Sequence, residues 1–219
     1  MREDEGARRG CFVVLEGIDG CGSTTQARLL VDSLRDSGRP ARFTCEPSDG
    51  PIGRLIRSIL EGRVREADGT ARRFDWPTLG LLFAADRHDH ADATIRPALR
   101  AGEIVVSDRY ALSTVAYQCG LADGEASAAA WLRELNARVL RPDLTLVLDV
   151  SAELAEQRRA ARGGPEELLE KRDLQRRLVA LYARAEQLVP LHNVAHVDAT
   201  GPVPEVRALV AQAVARVLS

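Results

Sequence analysis

The first apolar run of the chain, Cys11-Phe-Val-Val-Leu15, is unbroken by polar residues and leads into glycines, the pattern of a short strand buried on both faces. From Thr24 the period changes. Ala27, Leu30, Val31 and Leu34 recur at helical spacing until Gly38 and Pro40 stop the pattern. Apolar runs like the first return at 42–45, 104–106, 144–150 and 194–197. Between them, apolar spacing predicts helices over 51–61, 79–100, 128–140, 153–162, 167–189 and 204–218. Strands separated by helices of this length need crossover connections, so the pattern predicts an α/β fold with a mostly parallel sheet covered on both sides. No internal repeat, low-complexity tract or long linker interrupts it, and the nearest approach to a break is Arg162-Gly-Gly-Pro165.

Composition narrows the partners. The 219 residues carry 30 basic and 32 acidic side chains, a net charge of −2, so no global field draws the chain to nucleic acid or to an anionic membrane. An anionic ligand must be held by a local cluster. No apolar run approaches the roughly 18 residues that span a bilayer, and the opening MREDEGARRG lacks the form of a signal peptide; a cytoplasmic location is expected. Residues 1–10 read as a flexible polar tail ahead of one domain over 11–219. Cys11, Cys21, Cys45 and Cys119 show no CxxC pairing and are expected to be reduced fillers. Lys171 is the only lysine of the chain.

In such sheets ligands bind beyond the carboxyl ends of the strands, which puts weight on the residues just after each apolar run. The first run enters Glu16-Gly-Ile-Asp-Gly-Cys-Gly-Ser-Thr-Thr-Gln26. Gly17 and Gly22 have the spacing of a phosphate-binding loop, and Thr24 stands where that loop places its magnesium-binding hydroxyl. Backbone N–H groups over Gly17, Asp19, Gly20, Cys21, Gly22, Ser23, Thr24 and Thr25 would converge on phosphate at a helix N-terminus. Ser23 occupies the lysine position, so the cation that reaches the β- and γ-phosphates is missing. A tight strand-to-helix turn needing glycine for geometry alone is the plain structural alternative.

Two further motifs come in order along the chain: Leu82-Phe-Ala-Ala-Asp-Arg87 with His90, and Ser107-Asp-Arg-Tyr-Ala-Leu-Ser-Thr-Val-Ala-Tyr-Gln118. Together with the glycine loop they resemble the thymidylate kinase family, and looser likeness extends through Pro142-Asp-Leu-Thr-Leu-Val-Leu-Asp149 to the terminal Val-Asp-Ala-Thr200. The resemblance implies a P-loop, nucleoside-monophosphate-kinase-like fold with a five-stranded sheet and a small lid near 153–172. It implies transfer of a phosphoryl group from ATP, with Mg²⁺, to dTMP, and a homodimer. It assigns thymine binding to Phe83 and Arg87, with Thr114 and Gln118 at the base edge, and Arg57 as a pocket arginine beside the base. Tyr117 would crowd the sugar 2′ position, and Asp19 would hold the 3′-hydroxyl. Arg109 would clamp the acceptor phosphate, and Asp108 with Thr24 would hold the metal. As isolated features, Arg109 also reads as a surface salt bridge and Tyr117 as core packing.

Where the family's phosphate loop carries no arginine, a lid supplies arginines instead, and here Ile18 to Gly22 contain no basic residue. Arg158 and Arg162 share one helical face at i and i+4, so one of them is expected over the β- and γ-phosphates, while Arg159 points to another face. A solvated charge run paired with Glu153, Glu156, Glu166 and Glu167 is the alternative. Cys45 replaces a usual arginine before Glu46-Pro47, and Glu166-Glu167 replace the lid's Asp-Arg. Loss of the loop lysine leaves two rival functions, a nucleotide-binding regulatory protein without turnover and a kinase for another nucleotide.

Overall fold

The computed structural model describes residues 10–163 and 169–218. The tail over 1–9, the end of the Arg162 to Pro165 break, the Glu166-Glu167 pair and the start of the helix expected over 167–189 lie outside the described residues. Five parallel strands form one sheet in the order β2-β3-β1-β4-β5: β1 (Phe12–Glu16), β2 (Ala41–Cys45), β3 (Ile104–Asp108), β4 (Leu144–Asp149) and β5 (Val194–Asp198). All five lie where apolar runs predict them. Every residue of β1 is buried, because alternate side chains feed two different layers. Val13 and Leu15 enter the larger apolar cluster with α1 (Ser23–Asp36), whereas Phe12 and Val14 enter a smaller one with Ile95, Leu99, Val105 and Tyr110.

The helices start where local chemistry favours it. Pro51 opens α2 (Pro51–Leu60), and Asp75 caps α3 (Trp76–His90) by accepting the Thr78 N–H at 3.1 Å. The helix expected over 79–100 is a continuous rod of three pieces: α3, a π-helical turn at Ala91–Ile95, and α4 (Arg96–Arg100). Pro97 has no N–H to give the carbonyl of Ala93, so the ladder must widen there.

The helix α5 (Ala111–Leu121) is not among those the spacing predicts. Nine of its eleven residues are buried, so no polar stripe marks its period. After it come α6 (Glu125–Leu135), α7 (Ala152–Arg162), α8 (Arg172–Tyr182), the short α9 (Ala185–Leu188) and α10 (Val203–Leu218). The run expected over 167–189 is thus divided, with Arg184 leaving helical geometry at φ −127°. Leu15 of β1 and Cys45 of β2 each stand level with Asp108 of β3, which aligns the carboxyl ends of three strands on one edge.

Candidate active site

Beyond that edge the chain turns sharply from β1 into α1. Gly20 (φ 92°) lies under α7 so closely that a Cβ there would stand 2.4 Å from the Ala155 carbonyl oxygen. Gly22 (φ 95°) precedes the first turn of α1, leaving the N–H groups of that turn open. The Thr24 hydroxyl donates to Asp108 Oδ2, while Asp108 Oδ1 is buried with no hydrogen-bond partner. A hydroxyl and an orphaned carboxylate oxygen at a helix N-terminus form an oxygen donor set that suits Mg²⁺, which keeps several waters and needs few protein ligands.

Arg109 follows Asp108 in left-handed backbone, φ 70°, a conformation that costs a non-glycine residue about 1 kcal/mol or more. Five hydrogen bonds hold it there. Its N–H donates to Leu15 O at 2.9 Å, and its carbonyl accepts from Ser107 Oγ at 2.8 Å. The guanidinium donates to Gly17 O at 2.9 Å, Ser113 Oγ at 3.1 Å and Asp19 Oδ1 at 2.5 Å, with the Tyr117 ring 5.2 Å from its carbon.

Two cavities meet at this Asp19–Arg109 pair. The smaller, about 120 Å³, is lined by Phe83, Arg87, Thr114, Tyr117 and Gln118 together with Glu46, Tyr110, Leu169 and Glu170. Both ends of the Gln118 carboxamide are buried here without a partner, as is Arg87 Nε. The rest of Arg87 is committed: fully buried, it donates to Glu46 Oε2 at 2.8 Å, Thr114 Oγ1 at 2.7 Å, Tyr110 O at 3.1 Å and Asn136 Oδ1 at 2.5 Å. With Arg87 in place the Thr114 hydroxyl keeps its proton to donate.

The larger cavity, about 720 Å³, runs over the loop from Asp19 to Gln26, past Arg158, Arg159 and Arg162, to an apolar end at Ala199, Pro202, Val203 and Val206. Every phosphate-loop residue singled out in the sequence lines it except Gly17, whose carbonyl instead receives Arg109. Arg57 is not brought to either cavity. Its guanidinium turns to the Pro47 carbonyl and, at 3.4 Å, to the Cys45 thiol, so the arginine that Cys45 replaces is not regained at this position. All three arginines of α7 reach the cleft, Arg159 included; packing of α7 against Gly20 brings both sides of that helix face to the loop.

Several residues that build the site are given no role by the sequence motifs. Glu16, the last residue of β1, is fully buried and accepts the Tyr110 N–H at 2.9 Å, the Ser113 N–H at 3.2 Å, the Ser113 hydroxyl at 2.5 Å and the Tyr182 hydroxyl at 3.3 Å. Burial pushes its carboxyl up to about 7. Gln175 on α8, also fully buried, donates to Asp19 Oδ2 at 2.9 Å and accepts the Asp19 N–H at 3.2 Å. Glu16 opens the glycine-loop motif, which by itself gives it no role; Gln175, 156 positions from Asp19, carries no sequence signal.

A family model described as thymidylate kinase matches residues 15–210 of the chain. Among curated relatives, the probable thymidylate kinase of Pyrococcus abyssi is 39% identical over 181 residues, which cover 82% of this chain and 84% of that protein. The thymidylate kinase of Caulobacter vibrioides is 41% identical over 156 residues, 71% of this chain and 72% of the relative. That of Ruegeria pomeroyi is 40% identical over 163 residues, 74% and 73% respectively. With likeness of this extent joined to the phosphate loop, the strained arginine and the paired cavities, the chain belongs to the thymidylate kinase family.

Proposed function

We propose that the protein transfers the γ-phosphoryl group of ATP to dTMP, giving ADP and dTDP. The observation that carries this reading is the meeting of a base-sized cavity with a phosphate cleft at one half-buried arginine, Arg109. The two unpartnered ends of the Gln118 carboxamide suit the alternating N–H and C=O edge of a pyrimidine imide, since leaving each unpaired costs about 1–3 kcal/mol. Phe83 offers a stacking face, and Arg87 Nε and the Thr114 hydroxyl offer donors to ring carbonyls. Tyr117, buried beside Arg109, stands to crowd a 2′-hydroxyl, and Asp19 to accept from the sugar 3′-hydroxyl.

ATP would lie along the larger cleft, its adenine toward Ala199 and Val203 and its phosphates on the loop N–H groups. Thr24 and Asp108 would hold Mg²⁺, which when bound neutralises charge on the donor phosphates. Arg109 orients the acceptor phosphate in line, and the α7 arginines cover the donor as a lid near 153–172. No general base is needed, because a phosphate monoester with a second pKa of about 6 is largely ionised near neutral pH. Among the described residues no helix is long and apolar enough to cross a membrane. The homodimer implied by the resemblance belongs to the same reading and is tested by sedimentation.

The test is ADP release on purified protein with Mg-ATP and dTMP, compared with dUMP, UMP and thymidine. Turnover with dTMP above all three supports the reading. Binding of dTMP with turnover no faster than a no-enzyme control selects the regulatory alternative.

A further inference from the structure

The three arginines of α7 face the same cleft but are committed differently. Arg158 spends both terminal nitrogens on backbone carbonyls, Cys21 at 3.4 Å and Thr200 and Gly201 at 3.3 Å. Arg162 is two-thirds exposed and pairs with the Glu170 carboxylate at 3.3 Å. Arg159 reaches into the phosphate loop itself, where its guanidinium donates to the Asp19 carbonyl. Its stem is seated on the loop: Arg159 Cγ lies 3.1 Å from the position a Cβ on Gly20 would take, one helical turn beyond the fully buried Ala155 whose carbonyl presses on the same glycine.

The loop lacks what this residue carries. Ser23, neutral and nearly fully buried, stands at the lysine position, and no residue from Ile18 to Thr24 is basic. A phosphate oxygen is a better partner for a guanidinium than a peptide carbonyl, since it carries negative charge and two such oxygens match the planar fork with parallel bonds.

We propose that Arg159 is the substitute for the missing loop lysine: with a nucleoside triphosphate on the loop, its guanidinium exchanges the Asp19 carbonyl for β- and γ-phosphate oxygens. This rests on the phosphotransferase reading above. In the transfer an acceptor phosphate oxygen forms a bond to Pγ while the bond from Pγ to the β,γ-bridging oxygen breaks. The electron pair stays on that oxygen, which leaves as the terminal oxygen of the nucleoside diphosphate, and no proton moves. Arg159 meets the negative charge that gathers there. A planar fork held at its stem by the Gly20 contact can cover two oxygens, whereas a lysine within the loop meets them as a point charge. Helical spacing favours Arg158 and Arg162 instead because it registers rotation about α7 alone and not where the loop presses on that helix.

The variant Arg159→Met keeps the stem on Gly20 and removes the charge. Expected are a fall in kcat of at least a hundredfold with the KM for dTMP within threefold, and partial recovery, tenfold or more, when Ser23→Lys is added. By calorimetry Arg159→Met should weaken Mg-ATP binding at least tenfold and leave AMP, which has no β- or γ-phosphate, within twofold. Circular dichroism and the thermal midpoint report whether each variant is folded, and Arg159→Lys, which restores charge at the same site, should outperform Arg159→Met. A kcat within threefold of the parent, a loss that Ser23→Lys leaves unchanged, or equal weakening of ATP and AMP would each overturn the proposal. Failure of the parent protein to phosphorylate dTMP would refute the acceptor reading instead, and the comparison of ATP with AMP still decides the role of Arg159.

Discussion

Replacing Glu16 by glutamine should change how stability depends on pH, by an amount the structure sets. The carboxyl is fully buried, and burial raises its pKa from the usual 4.5 to about 7 against the opposing pull of the Ser113 hydrogen bonds and the Arg109 charge. The folded value lies above the unfolded one, so the protonated form is the one the fold prefers. Its contribution is complete below about pH 4.5 and is lost as pH rises through 7. At about 1.4 kcal/mol per unit the loss comes to about 3 kcal/mol. His192 works in the opposite direction, because burial and the Arg141 charge lower its pKa to about 4. Its contribution is complete above 6.5 and is lost as pH falls through 4. The two effects overlap between about pH 4.5 and 6.5 and flatten the parent profile there, whereas above 6.5 the Glu16 effect alone of the two continues. Glu16→Gln keeps an acceptor for the Tyr110 and Ser113 N–H groups and removes the titration. Urea unfolding, followed by fluorescence of the edge-to-face Trp76–Trp131 pair, gives the stability difference between parent and variant at each pH. That difference should move in favour of glutamine by about 3 kcal/mol between pH 4.5 and 8. A difference constant to within about 0.5 kcal/mol over that range would show that Glu16 is ionised throughout and refute the reasoning.

Arg87→Met leaves Glu46 buried without its guanidinium partner and should destabilise the fold by about 3–5 kcal/mol, read as the urea midpoint; a loss under about 1 kcal/mol would mean that Glu46 finds other partners. Tyr117→Ala should narrow the ratio of kcat/KM for dTMP over its ribose counterpart, and an unchanged ratio would make Tyr117 a packing residue. Thr24→Ala removes the hydroxyl on Asp108 and should raise the Mg²⁺ concentration for half-maximal turnover roughly tenfold, whereas an unshifted magnesium titration would remove Thr24 from the metal site.

The strands are legible because a sheet covered on both faces writes continuous apolar runs, and β1 is buried at every residue. Helix α5 is illegible through the same burial: enclosed nearly all round, it carries no amphipathic period. Motif residues Phe83, Arg87, Thr114, Tyr117 and Gln118 do come together in one cavity, while Arg57 folds away to Pro47. Glu16, Gln175 and Tyr182 act through hydrogen bonds across 94 to 166 positions of chain, a relation created by the fold and absent from any local pattern. The reach of Arg159 into the loop is equally hidden, because a wheel drawn for one helix does not contain the neighbour that presses on it.

The Asp19–Arg109 pair borders both cavities, and its ends are tied to different parts of the chain: Asp19 to Gln175 and to Arg159, Arg109 to the backbone of β1 and to Ser113. On the proposed function, an acceptor anion that draws Arg109 toward itself would loosen its hold on Asp19, which belongs to the loop proposed to receive the donor. The two ligands would then share a coupling free energy. Whatever factor the first changes in the affinity of the second, the second returns in equal measure to the first. Order of addition would alter rates of approach but not that factor.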